Sequence, residues 1–186
     1  MPYLRSVLIL RYDTLLTEWY FNDGTYYGAN HIHSASKSFM SALIGIAIRE
    51  GYLTDLDQKI QDYFPEYIDL ALEPIKQDIT IRHLLQMKAG FNFNDSADEW
   101  YDYAYSSNWV NYALSLPLTH NPGENWHYCT PQSNLLSVIL TRATNMSTKA
   151  FADQFLFDPM NISINYWKQD PQGYYTGGHE MYFTPR

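Results

Sequence analysis

A single cysteine, Cys129, stands in this chain of 186 residues. No intrachain disulfide can form, so cysteine usage says nothing about cellular compartment. Basic residues are also scarce: 12 Lys and Arg face 20 acidic residues, for a formal net charge of −8. With no Lys/Arg cluster, the sequence lacks the electrostatic footprint of a nucleic-acid binder. The acidity favours solubility and names no partner. No apolar run approaches the roughly 20 residues of a membrane-spanning helix. The opening "MPYLRSVLILRYD" is too short in its apolar part and lacks a small-residue cleavage site, so it reads as a strand and not as a signal peptide. Any export signal is expected outside these residues. Internal repeats and low-complexity linkers are absent.

What is present is a foldable mixture, 46% hydrophobic and 17% charged, far from the composition of a disordered chain. The length suits one domain with a real core and is marginal for two. "SVLILRYDTLLTEWYF" alternates like two strands around a turn near Asp13-Thr14. In "HIHSASKSFMSALIGIAIREG", residues 31–51, Phe39, Met40, Leu43, Ile44, Ile46 and Ala47 recur at helical spacing, and Gly51 ends the run. "YLTDLDQKIQDYFPEY" is a short amphipathic piece stopping near Pro65. "DITIRHLLQMKAG" reads as a helix capped by Thr80 or Asp78 and stopped by Gly90, with Ile81, Leu84, Leu85 and Met87 inward. "FNFNDSADEWYDYAYSS" shows no clear period and reads as a surface segment. "NWVNYALSLPL", "PQSNLLSVILTRATN" and "STKAFADQFLFDPM" read as further helices, with Pro131 near the start of the second and Ser147 or Thr148 capping the third. "YYTGGHEMYF" reads as strand–turn–strand, with Gly177-Gly178 as a tight turn at positive φ. "Thr184-Pro185-Arg186" has the form of a helix start, so the chain is expected to be a fragment of a longer protein.

Ser34 and Lys37 head the most apolar helix, one turn apart and therefore on one face. Serine is a weak nucleophile until a base stands beside it. A helix N-terminus adds N–H groups and positive potential for a developing oxyanion. It also favours a lowered lysine pKa, together with desolvation. On these residues alone the pair is open between a catalytic couple and two polar residues that precede a core helix. Tyr128, on a turn before another apolar helix, is a third candidate. A tyrosine hydroxyl close to an ammonium can pass protons.

Four stretches, "HSASKSFMSALIGIAIREGYL", "ITIRHLLQMKAG", "PGENWHYCTPQSNLLSVIL" and "GYYTGGHEMYFTPR", resemble in the same order the successive blocks of the serine β-lactamase-related hydrolases. That superfamily comprises class C β-lactamases, DD-peptidases, esterases and hydrolases of 6-aminohexanoate oligomers, and the resemblance runs from about residue 6 to the end. It implies an α+β, β-lactamase/transpeptidase-like fold over residues 1–186. An antiparallel sheet is flanked by helices, and a helical region at about 52–160 is inserted between sheet elements. It implies Ser34 as the acylated nucleophile, Lys37 as its proton acceptor and Tyr128 as the tyrosine of a Tyr-x-Asn motif. Thr130 stands where that motif has Asn and offers fewer hydrogen-bonding groups. This departure points away from an efficient β-lactamase, toward the esterase or amidase branches.

The family's Lys-Thr-Gly or His-x-Gly strand lies downstream of the last block. The oxyanion hole is therefore expected to be completed by a C-terminal remainder, in cis or as a separate chain. Members are often periplasmic or secreted. The substrate is expected to be a small molecule or peptide, met by Thr130, His33, Gly177 and Gly178, with no metal and no cofactor. His31 and His33 in a strand would face the same way, as a metal site requires. No Asp, Glu or Cys partner stands at ligand spacing, so the pair reads as lining the approach to Ser34. Cys129 reads as buried filler. A second reading of the whole is a non-catalytic relative that binds peptide or cell-wall fragments.

Overall fold

The computed structural model describes residues 2–67, 74–96 and 98–186; residues 68–73 and 97, inside the expected helical region, lie outside that set. In chain order the regular elements are strands β1 (Ser6–Arg11), β2 (Thr14–Tyr20) and β3 (Asn30–His31), then helices α1 (Ser36–Arg49), α2 (Ile81–Leu85), α3 (Asp98–Tyr105), α4 (Trp109–Ser115), α5 (Thr130–Thr144) and α6 (Thr148–Ala152), then strands β4 (Tyr166–Trp167) and β5 (Met181–Phe183).

β1 and β2 pair antiparallel around Tyr12 and Asp13, whose φ values of 48° and 59° make a two-residue turn. Two consecutive left-handed residues match the twist of a hairpin. The turn lies one residue earlier than the alternation suggests. The other sheet runs β3-β5-β4, all antiparallel, and sets residues 30–31 beside residues 182–183. The helices lie between β3 and β4 in sequence, with α1 (Ser36–Arg49) ahead of the expected 52–160 region.

The core is built by α1 against α5. Met40, Leu43, Ile44 and Ala47 are completely buried, as are Ile139 and Leu140 on the other side. Burial of each large apolar side chain contributes about 1.5–3 kcal/mol. On α5 every residue from Thr130 to Leu140 is buried, the mark of a helix packed on all sides. Its polar groups are therefore paired: Ser137 Oγ lies 2.7 Å from Thr148 Oγ1 and 2.5 Å from the Tyr175 carbonyl. Pro131 occupies the first turn, and Asn145 at φ 55° closes the helix. Ser147 caps α6 by accepting from the Ala150 N–H.

Three segments differ from the sequence-based expectation. The helix beginning at Ile81 is a single turn, because Met87 adopts φ 56° well before Gly90. Its cap is Thr80, reinforced by His83 in a capping box, and not Asp78. The aromatic-acidic stretch forms α3. Its period is hidden because tyrosines occupy both faces: Tyr103 is fully buried while Tyr101 and Tyr105 are exposed. Asp98 and Glu99 in its first turn suit the positive end of a helix.

Gly177 and Gly178 do not form a positive-φ turn; the positive-φ glycine of that region is Gly173, at 89°. The pair is glycine for want of space. A Cβ on Gly177 would sit 1.9 Å from the Ser133 carbonyl oxygen, and one on Gly178 would sit 2.6 Å from Thr130 Cγ2. Among the described residues, no helix is long and apolar enough to cross a membrane.

Candidate active site

The chain reaches Ser34 through a tight turn. His33, at φ 49°, begins a short 3₁₀ turn that continues into α1. Left-handed backbone costs a non-glycine residue roughly 1–2 kcal/mol. Here it is secured by the Ser36 hydroxyl, which donates to the His33 carbonyl at 2.7 Å. Ser34 is left exposed and Lys37 partly covered, one turn along.

Tyr128 comes from the segment before α5, which is strapped to residues 87–93. His127 N–H donates to the Met87 carbonyl at 2.8 Å, Gly123 N–H donates to the Lys88 carbonyl at 2.8 Å, and His127 Nε2 lies 2.8 Å from the Phe93 carbonyl. Buried Gln132 adds a clamp by accepting from the Ala89 N–H at 3.2 Å. The first turn of α5 is capped from a distance: Asp95 Oδ2 accepts from the Thr130 N–H at 3.0 Å. This satisfies a helix-end donor and places a carboxylate at the favourable pole.

These two supports bring the expected groups together. Tyr128 Oη donates to Ser34 Oγ at 2.6 Å, and Lys37 Nζ donates to the same oxygen at 3.1 Å. Lys37 Nζ also donates to the Gly178 carbonyl at 2.8 Å and lies 4.9 Å from the Tyr128 ring centroid. Partial burial pushes the Tyr128 pKa up, but interaction with Lys37, the hydrogen bond to Ser34, the lysine charge and the Thr130 side chain outweigh it, so the phenol is more acidic than usual. Serine hydroxyl, amine and phenol thus form one hydrogen-bonded cluster, with the geometry required for proton transfer among them.

The other candidates are placed as follows. Thr130 is buried, and its side chain helps to lower the Tyr128 pKa. The N–H groups of Gly177 and Gly178 both donate to Asn134 Oδ1, at 2.7 and 3.0 Å, so it is the Gly178 carbonyl that meets the reactive groups. His33 stacks on His31, with ring centroids 3.9 Å apart. His31 Nε2 accepts the Glu180 N–H at 2.8 Å, which fixes its tautomer. Burial and the neighbouring His33 lower the His31 pKa. Among the described residues, no three His, Cys, Asp or Glu side chains are grouped to hold a metal ion. Cys129 is buried and its thiol is pushed up to about 12, first by desolvation, so it is no nucleophile. Sequence reasoning missed Asp95, Asn134 and the Gly178 carbonyl.

The beta-lactamase family profile matches residues 30–185. Among solved structures, a candidate 6-aminohexanoate-dimer hydrolase from Bacillus anthracis superposes with a TM-score of 0.81 at 15% identity, over 97% of this chain and 50% of its own. An octameric penicillin-binding protein homologue from Pyrococcus abyssi superposes with a TM-score of 0.73 at 18% identity, over 96% and 49%. EstCE1, a hydrolase with promiscuous acyltransferase activity, gives 0.76 at 16% identity, over 96% and 64%. The chain spans about half the length of the first two. Comparison with curated proteins returns no significant match.

Proposed function

The chain belongs to the beta-lactamase family, and from that premise we propose that it carries the nucleophilic site of a serine hydrolase acting on an ester or amide through a Ser34 acyl-enzyme. The observation that carries this reading is the approach of Lys37 Nζ and Tyr128 Oη to Ser34 Oγ, at 3.1 and 2.6 Å. Lys37, as the free amine, accepts the Ser34 proton while Oγ bonds to the substrate carbonyl carbon. Tyr128 hands a proton to the departing oxygen or nitrogen. A water molecule then attacks the acyl carbonyl carbon, the Tyr128 phenolate takes the water's proton, the bond from that carbon to Oγ breaks, and the Lys37 ammonium returns its proton to Oγ, which restores the hydroxyl, the phenol and the free amine. His33, exposed beside Ser34, and Thr130, buried two residues after Tyr128, belong to the substrate's surroundings. We assign the final oxyanion donor to a strand outside these residues, a reading supported by the greater length of the matched structures.

A p-nitrophenyl ester and a reactive β-lactam test the proposal. The protein is expected to gain a mass adduct on Ser34 and to release p-nitrophenolate, and Ser34→Ala is expected to do neither. Absence of adduct and turnover, with Ser34→Ala indistinguishable from the parent, would overturn it. Ligand binding without acylation, unaffected by Ser34→Ala, would instead support a non-catalytic binding protein. The observation favouring that second reading is the buried Thr130, where the family motif has an asparagine.

A further inference from the structure

Lys37 can act as a base only if its lone pair, and not an N–H, faces Ser34. A free amine has two N–H bonds and one lone pair. With one N–H on the Gly178 carbonyl and the other toward the Tyr128 ring, 4.9 Å away, the lone pair is left for the Ser34 proton. The direction of the base therefore depends on where the Gly178 carbonyl is held, at 2.8 Å from Lys37 Nζ.

That carbonyl belongs to a backbone segment fixed by one side chain. Asn134, 7% exposed on the second turn of α5, accepts both the Gly177 and Gly178 N–H groups on Oδ1, at 2.7 and 3.0 Å. Its Nδ2 donates to the hydroxyl of fully buried Tyr103 on α3, at 2.5 Å. The amide therefore has both ends engaged and cannot turn over without losing its partners. The absence of side chains at Gly177 and Gly178 lets the segment lie directly on α5. One continuous chain of hydrogen bonds runs from Tyr103 through Asn134 and the Gly177–Gly178 backbone to Lys37 and Ser34.

We infer that Asn134 is a positioning residue for the general base: it sets the lysine's direction through the Gly178 carbonyl and touches neither substrate nor nucleophile. The inference rests on the acyl-enzyme reading for its kinetic consequence, and on geometry alone for its effect on Lys37.

Asn134→Leu keeps the volume and removes the acceptor, Asn134→Asp restores an acceptor oxygen, and Tyr103→Phe removes only the anchoring hydroxyl. Two readouts are needed: acylation by a p-nitrophenyl ester, and the Lys37 side-chain resonance in lysine-labelled protein, assigned with Lys37→Arg. Asn134→Leu is expected to lower the acylation rate about 100-fold, as misplacement of a reacting group does, with KM within about threefold. Asn134→Asp is expected to recover most of that rate, and Tyr103→Phe to fall between. The Lys37 resonance is expected to move toward that of exposed lysines in Asn134→Leu and to return in Asn134→Asp. An unmoved resonance in both Asn134→Leu and Tyr103→Phe, or Asn134→Leu acylating at the parental rate, overturns the inference. A parent that is never acylated overturns the hydrolase reading, while a shifted Lys37 resonance in the variants still upholds the positioning role.

Discussion

Tyr128 is one of 17 tyrosines in the chain, and its surroundings set it apart. Burial raises the pKa of Tyr63, Tyr103 and Tyr112, whereas Lys37 and Ser34 lower that of Tyr128. In a spectrophotometric titration near 295 nm, one tyrosine is expected to ionise ahead of the ordinary value of about 10. Tyr128→Phe is expected to remove that early phase alone, and an unchanged titration would contradict the described cluster. Ser34, Lys37 and Tyr128 were legible in the sequence because each carries its chemistry in its side chain and each heads an apolar helix. The Gly178 carbonyl was not: every residue has a carbonyl, and this one lies 141 positions from its lysine. Asp95 was hidden for a similar reason, since a cap supplied from 35 residues away leaves no local pattern.

Among the elements, α1 was read well because its apolar periodicity reflects burial, and α5 because its apolar run lies between a proline suited to a helix start and a helix-ending Asn145. α3 was missed because tyrosine is at home on either face, and Gly177-Gly178 were misread because glycine signals both a special φ and a lack of room. The two meanings predict opposite outcomes on substitution. Gly177→Ala sets a methyl group against the Ser133 backbone and is expected to destabilise the fold by about 1–3 kcal/mol or more, as overpacking does. Gly45, on the exposed side of α1, has no atom within 4 Å of its would-be Cβ. Gly45→Ala is therefore expected to stabilise by about 0.5–1 kcal/mol through helix propensity. Urea midpoints of the two variants should move in opposite directions.

For the molecule as a whole, stability is tied to acid through His179. The ring is 8% exposed, packed by Trp100 of α3 and Trp109 of α4, and neither nitrogen has a hydrogen-bond partner among the described residues. Burial, then the charges of Lys37 and Lys168, lowers its pKa from 6.5 to about 3. The folded state keeps the ring neutral while the unfolded chain protonates it, so stability falls as pH drops from about 6.5 toward 3. Between pH 7.5 and 5.5 the loss from this group is about 1.4 kcal/mol, and above 7.5 it vanishes. Denaturant melts at the two pH values should show His179→Phe flatter by that amount, and equal slopes in parent and variant would refute the assignment.

The cluster around Ser34 is assembled from groups 94 and 141 positions away, so it has no local precursor. Long-range closures are made late, after the loops between them have been ordered. A nascent chain holds Ser34 and Lys37 well before residues 128 and 178 are made, and the pair then lacks both the phenol and the carbonyl that orient it. The serine and lysine therefore gain their mutual orientation only when residue 178 has been synthesised and seated on the helix that follows Tyr128.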